Sequence, residues 1–117
     1  MNRVLARGTV VVAASVVLAG FGASSARGDD SKATYEKSCV MCHGTTGKGD
    51  GSVGKMLKPP PGDLSTVLKG KSDEDIAKVI KLGGRAVGKA AGMPAYGHSL
   101  SDEQIKGLVH YIKGLSK

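Results

Sequence analysis

Aromatic side chains are scarce in this 117-residue chain: there is no tryptophan, one phenylalanine (Phe21), and three tyrosines, Tyr35, Tyr96 and Tyr111. A protein-only core of this size normally holds more aromatic bulk, so another apolar body is expected to fill the interior. Only two cysteines occur, Cys39 and Cys42, which excludes a framework of several disulfides. No segment carries the period-two alternation of a half-buried strand, and an all-α fold is expected. Basic residues are spread along the chain rather than clustered. That distribution, in a chain that reads as exported, argues against nucleic-acid binding.

The apolar run at residues 9–21 (TVVVAASVVLAGF) follows Arg3 and Arg7 and precedes the small residues Gly22-Ala23-Ser24-Ser25-Ala26. This is the order of a cleavable export signal. Cleavage after Ala26 satisfies the small-x-small rule through Ser24 and Ala26, with cleavage after Gly28 as the neighbouring option. The run is shorter than the ~20 residues of a comfortable membrane span, which makes an uncleaved anchor the lesser alternative. Phe21 stands where a lipidated cysteine would be, so no lipoprotein is expected. The division is thus a signal peptide at 1–26 and one domain at 27–117, soluble in the periplasm. With residues 1–26 removed, 91 of 117 residues remain, enough for one small domain that wants a staple. Losing Arg3 and Arg7 takes the net charge from +7 to +5.

Three helices are legible. The first is predicted over residues 31–42. The second is announced by Ser72 as N-cap and the acids Asp73, Glu74 and Asp75 near the positive end of the helix dipole. Ile76, Val79 and Ile80 give it an apolar face, and Gly83-Gly84 stop it. The third starts at Ser101, with Gln104 completing a capping box, and carries Ile105, Leu108, Val109, Ile112 and Leu115 at helical spacing. Between the helices lie two long glycine-rich stretches, residues 44–71 with Pro59-Pro60-Pro61, and residues 83–100. Structureless loops of that length are unusual in a small domain, unless they wrap a flat ligand.

The ligand is named by Cys39-Val40-Met41-Cys42-His43. C-x-x-C-H is the attachment signature of a c-type haem. Two thiols one helical turn apart reach the two vinyl groups of one porphyrin as thioethers, and the adjacent imidazole sits under the iron. Competing uses of C-x-x-C fare worse. A thioredoxin-like pair wants a βαβ context. Structural zinc needs four ligands, and His98 and His110 lack paired spacing. A disulfide across a two-residue helical gap has poor geometry and leaves His43 unexplained. The haem, a large apolar disc, would then be the staple.

On these residues, together with Gly92-Met93-Pro94-Ala95-Tyr96-Gly97 and the closing segment Leu108-Val109-His110-Tyr111-Ile112, the mature chain resembles the class I cytochromes c. The tract GTTGKGDGS after His43 is similar to the branch of short bacterial domains, which also occur as modules in oxidases and dehydrogenases. The resemblance implies a cytochrome c fold, three main helices with long loops wrapped around one covalently bound haem c. It makes Cys39 and Cys42 the thioether residues, His43 the proximal ligand and Met93 the distal ligand. Tyr35 would be the aromatic residue of the first helix, packed on Leu108 and Tyr111. Ser31 stands where the family often has glycine, a departure expected to loosen the helix crossing slightly. A proline carbonyl, with Pro60 taken from among Pro59, Pro60 and Pro61, would accept the Nδ1 proton of His43.

Among the other sulfur candidates, Met41 lies between the cysteines on the proximal side and cannot cross the ring, while Met56 is the runner-up to Met93. Pro94 stiffens the Met93 loop, and Gly92 and Gly97 permit its turns. His98 and His110 are expected to face water. Lys89, Arg85 and Tyr96 are candidates for a haem carboxylate. The expected function is one-electron transfer between redox proteins of a respiratory or photosynthetic chain, with no substrate transformed. Docking would be weak, by a monomer, biased by Lys48, Lys55, Lys58 and Lys89. The alternatives are a haem domain whose iron opens to ligands, giving gas sensing or peroxidase-like chemistry, and an electron-input subunit of a larger oxidase or dehydrogenase.

Overall fold

The computed structural model describes residues 26–117 together with residues 11, 12, 15 and 20. Apart from these four and Ala26, the signal peptide expected at 1–26 lies outside the described residues. The helices are α1 (Ala26–Ser38), α2 (Val40–His43), α3 (Leu64–Val67), α4 (Asp73–Leu82) and α5 (Asp102–Leu115). Single 3-10 turns occur at Gly54–Met56 and Arg85–Val87. Among the described residues there is no strand, and no helix is long and apolar enough to cross a membrane.

Local chemistry sets the ends of α4 and α5. The Ser101 hydroxyl accepts from the Gln104 amide at 3.2 Å, and the Gln104 side chain accepts from the Ser101 amide at 2.9 Å. This reciprocal pair satisfies two of the donors that a helix start leaves open. Ser72 Oγ accepts from the Asp75 amide at 3.1 Å, and α4 ends where Gly83 turns with φ +80°. The two helices run antiparallel. Lys81 near the end of α4 pairs with Asp102 at the start of α5 at 2.7 Å, and Lys113 near the end of α5 pairs with Asp73 at 2.5 Å. Both pairs are exposed, so each adds at most about 1 kcal/mol.

Packing does more. Ile76 and Ile80 of α4 meet Ile105, Leu108, Val109 and Ile112 of α5 in one buried cluster, which Tyr35 of α1 and Leu64 of α3 complete. Burying each aliphatic side chain stabilises the fold by about 1.5–3 kcal/mol. Tyr35 is 1% exposed. Its ring lies 5.3 Å from that of Tyr111, tilted by 53°, and its hydroxyl donates to the Gly44 carbonyl at 2.7 Å. Ser31 is buried as well.

Three features differ from the expectation. The first helix begins at Ala26 rather than at residue 31, because its opening turns are polar (ARGDDSK) and carry no apolar period to read. It also ends at Ser38, and the chain breaks at Cys39 before α2. Finally, the stretch 44–71 holds α3, whose N-cap Asp63 accepts from the Ser65 amide at 2.8 Å and the Ser65 hydroxyl at 2.6 Å. Those two bonds hold the Asp63 carboxyl below its usual range.

Candidate functional site

The break at Cys39 presents the cysteines. The Cys39 amide still closes α1 by donating to the Tyr35 carbonyl at 2.8 Å, and the Cys42 amide then turns to the Cys39 carbonyl at 3.2 Å. The glycine-rich tract folds back on this turn. Amides of Gly49, Gly51 and Val53 donate to the carbonyls of His43, Cys42 and Met41 at 2.8, 3.3 and 2.9 Å. The approach is close enough to require glycine. A Cβ at Gly51 would lie 2.3 Å from the Met41 carbonyl oxygen, and one at Gly54 would lie 2.1 Å from that of Cys42. The Cys39–His43 pentapeptide is therefore clamped by backbone.

A cavity of about 760 Å³ opens beside it, and Cys39, Cys42, His43, Met93 and Tyr96 all line it. Leu57, Leu64, Val67, Leu68, Ile76, Val79, Ile80, Leu108 and Ile112 contribute apolar wall, and Pro59, Pro60 and Pro61 also border it. That volume falls within the range of roughly 300–1,000 Å³ seen for cofactor pockets.

Burial sets the protonation states. It pushes the Cys39 thiol up to about 11, with a smaller contribution from Cys42. Such a thiol is protonated at neutral pH, unlike the activated thiolate of a disulfide oxidoreductase. Cys39 and Cys42 are not joined by a disulfide, and among the described residues no three His, Cys, Asp or Glu side chains converge as a metal cluster. Burial also pushes His43 down, leaving a neutral imidazole with a lone pair to donate.

The His43 Nδ1 atom is buried and makes no hydrogen bond. The bond expected to the Pro60 carbonyl, or to that of a neighbouring proline, is not formed in this arrangement. The prolines border the cavity, but the Pro61 carbonyl packs against Gly49, where an added Cβ would come within 2.2 Å of it. An apolar cleft holding two thiols, a neutral imidazole and a thioether fits an iron porphyrin attached through both cysteines.

Met93 is half-buried and packs against the hydrophobic core. The Gly84 amide donates to its carbonyl at 2.9 Å, and the Tyr96 and Gly97 amides donate to the Ile80 and Lys81 carbonyls at 2.9 and 3.0 Å. The loop is thus pinned to the end of α4. Met56 is 71% exposed and Met41 58% exposed, and neither lines the cavity. His98 and His110 are exposed. Of the carboxylate candidates, Lys89 and Tyr96 line the cavity and Arg85 does not. The Tyr96 hydroxyl donates to the Ser38 carbonyl at 3.0 Å. Lys71, Asp75 and Lys78 also border the cavity. Sequence reasoning missed these three; their place on and just before the capped start of α4, one turn apart, was the available signal.

Residues 26–112 match the family described as cytochrome C oxidase, cbb3-type, subunit III. The chain is 32% identical over 102 residues to proteins described as alcohol dehydrogenase (quinone), cytochrome c subunit, from Gluconacetobacter polyoxogenes and from Komagataeibacter europaeus. Each alignment covers 83% of this chain and 20% of the relative, so the chain spans about a fifth of their length. Among solved structures, a chain of the Kuenenia stuttgartiensis reducing HAO-like protein complex superposes with a TM-score of 0.65 at 25% identity. That superposition covers 80% of this chain and 46% of the other. The helices, the clamped attachment turn and the cleft facing Met93 agree with that match: the chain has a cytochrome c fold and belongs to the cbb3-type cytochrome c oxidase subunit III family of class I c-type cytochromes.

Proposed function

We propose that this cytochrome c domain is a one-electron carrier in which Cys39 and Cys42 would hold a single haem c through thioethers and His43 and Met93 would ligate its iron. The observation that carries the reading is the convergence of these four side chains on one apolar cleft, with Met56 left in solvent. When bound, haem c supplies an iron that cycles between ferrous and ferric states by one electron. The protein's share is to bind and insulate. Its clamped turn presents both thiols, burial keeps His43 neutral, and the pinned loop brings a thioether, a ligand type that raises the potential. Apolar walls from α3, α4 and α5 keep water from the cleft. Lys71, Lys78 and Lys89 at its border favour an acidic redox partner through their field.

We propose further that the domain transforms no substrate itself and works in the periplasm after loss of residues 1–26. One observation favours a second setting. The relatives are described as cytochrome c subunits of an alcohol dehydrogenase (quinone), so the same carrier chemistry can serve within a larger redox assembly.

The first test is the absorption spectrum of the reduced, export-matured protein before and after carbon monoxide. A low-spin c-type spectrum that ignores the gas supports the carrier. Prompt conversion to a carbonyl spectrum overturns it in favour of an open iron, and a spectrum without haem refutes the attachment. Affinity purification from the native host separates a free carrier from an assembly subunit.

A further inference from the structure

Between α1 and α2 the helical ladder skips a rung. The Cys42 amide bonds the Cys39 carbonyl, one residue closer than a continuous α-helix would use. The Ser38 carbonyl, at the last position of α1, is taken by the Tyr96 hydroxyl at 3.0 Å, across 58 residues of sequence. Ser38 immediately precedes the first haem-attachment cysteine, and Tyr96 follows Met93 by three residues. Among the described residues, the loop's other backbone anchors, Gly84 to Met93, Tyr96 to Ile80 and Gly97 to Lys81, all run to the end of α4 or the residues just after it. The hydroxyl of Tyr96 instead ties the loop to the element carrying the thiols. Tyr96 is also half-buried and lines the cleft.

We infer that Tyr96 is a positioning residue whose hydroxyl latches the Met93 loop to the attachment helix, and that this latch keeps the sixth coordination position closed to outside ligands. The inference rests on Met93 being the sixth ligand. With the bond made, Met93 withdraws only if the loop leaves both α4 and α1. Without it, the loop swings on the α4 anchors alone. One net hydrogen bond corresponds to a few-fold to roughly tenfold change in the opening equilibrium.

The test compares haem-loaded wild type, Tyr96→Phe and Ile105→Val. Ile105 is a buried core residue that does not line the cleft, so Ile105→Val lowers stability without touching the latch. Imidazole entry into the oxidised proteins is followed by absorbance, and amide hydrogen exchange is measured at Tyr96 and Gly97. Tyr96→Phe is expected to keep the low-spin resting spectrum, to take up imidazole a few-fold to roughly tenfold faster, and to exchange those amides faster. Ile105→Val is expected to match wild type in both readouts while melting lower. Imidazole entry unchanged in Tyr96→Phe, or raised equally in Ile105→Val at equal loss of stability, overturns the latch. If Tyr96→Phe does not fold, 3-fluorotyrosine placed at position 96, a more acidic donor, is expected to slow imidazole entry below wild type; no slowing overturns the latch. Prompt carbon monoxide binding by reduced wild type overturns the ligand assignment itself, and the latch with it.

Discussion

Met93 and Met56 are the same thioether chemically, and burial separates them. Met93 packs against the core at the cleft, whereas Met56 is 71% exposed. Met93→Ala is therefore expected to lower the midpoint potential, admit carbon monoxide and destabilise the fold toward the lower end of the about 2–5 kcal/mol range for methionine truncation. Met56→Ala should leave potential and spectrum unchanged; redox titration and carbon monoxide spectra decide. Tyr35 carries a pH prediction. Burial above all pushes its hydroxyl up from 10.0 to about 12. Because the folded state holds this proton more tightly, the stability it contributes is complete below pH 10 and is lost as pH rises through 12. Urea midpoints of wild type should fall over that window, and the fall should be shallower for Tyr35→Phe. A parallel profile would remove Tyr35 as the cause. At this scale the pentapeptide was legible because its chemistry is local. The His43 Nδ1 contact was not, because where a proline carbonyl points depends on how the chain folds, as where Pro61 and Gly62 pack against Gly49.

Elements differ in how much of their cause lies in adjacent residues. Helices α4 and α5 were readable at both ends because caps, acidic first turns and apolar periods are local signals, and Ser72, Gly83 and Ser101 act as those signals say. Ser101→Ala should cost about 1 kcal/mol, lowering the melting temperature by roughly 4–8 °C for a domain of 60–100 residues. The start of α1 was hidden in a polar segment, and α3 in a stretch dominated by glycine and proline, although Asp63 two residues before Ser65 was a usable cap. The glycine tract shows the reverse dependence. Gly54 needs glycine for closeness to the Cys42 carbonyl, not for a positive φ. Gly54→Ala should force the tract off the attachment turn, an overpacking cost of about 1–3 kcal/mol, with less haem attached during maturation. Gly70→Ala is a different control: its φ is +71° but open space surrounds it, so it should cost stability without reducing haem content. Equal haem yields from both variants would refute the clamp.

On the scale of the whole molecule, the described residues include eight buried hydrophobic side chains that form the core, and many further apolar side chains line the cleft. A chain with Cys39 and Cys42 both replaced by serine should therefore lose cofactor retention and cooperative unfolding together, seen as a broadened, lowered urea transition by circular dichroism. A transition as sharp as that of the haem-loaded protein would show that the cleft needs no filling. Electron transfer to an acidic partner should slow as salt rises past about 0.1 M, where the screening length falls to about 10 Å, and should accelerate with salt for a basic partner. By itself the sequence determined the C-x-x-C-H motif, the all-α class, the two capped helices and the family resemblance, since each depends on neighbouring residues or a fixed spacing. Tertiary structure alone decided that glycines clamp the turn at Cys39–His43 and that Tyr96 reaches Ser38. Those outcomes join residues up to 58 positions apart, and such contacts exist only once the helices have packed.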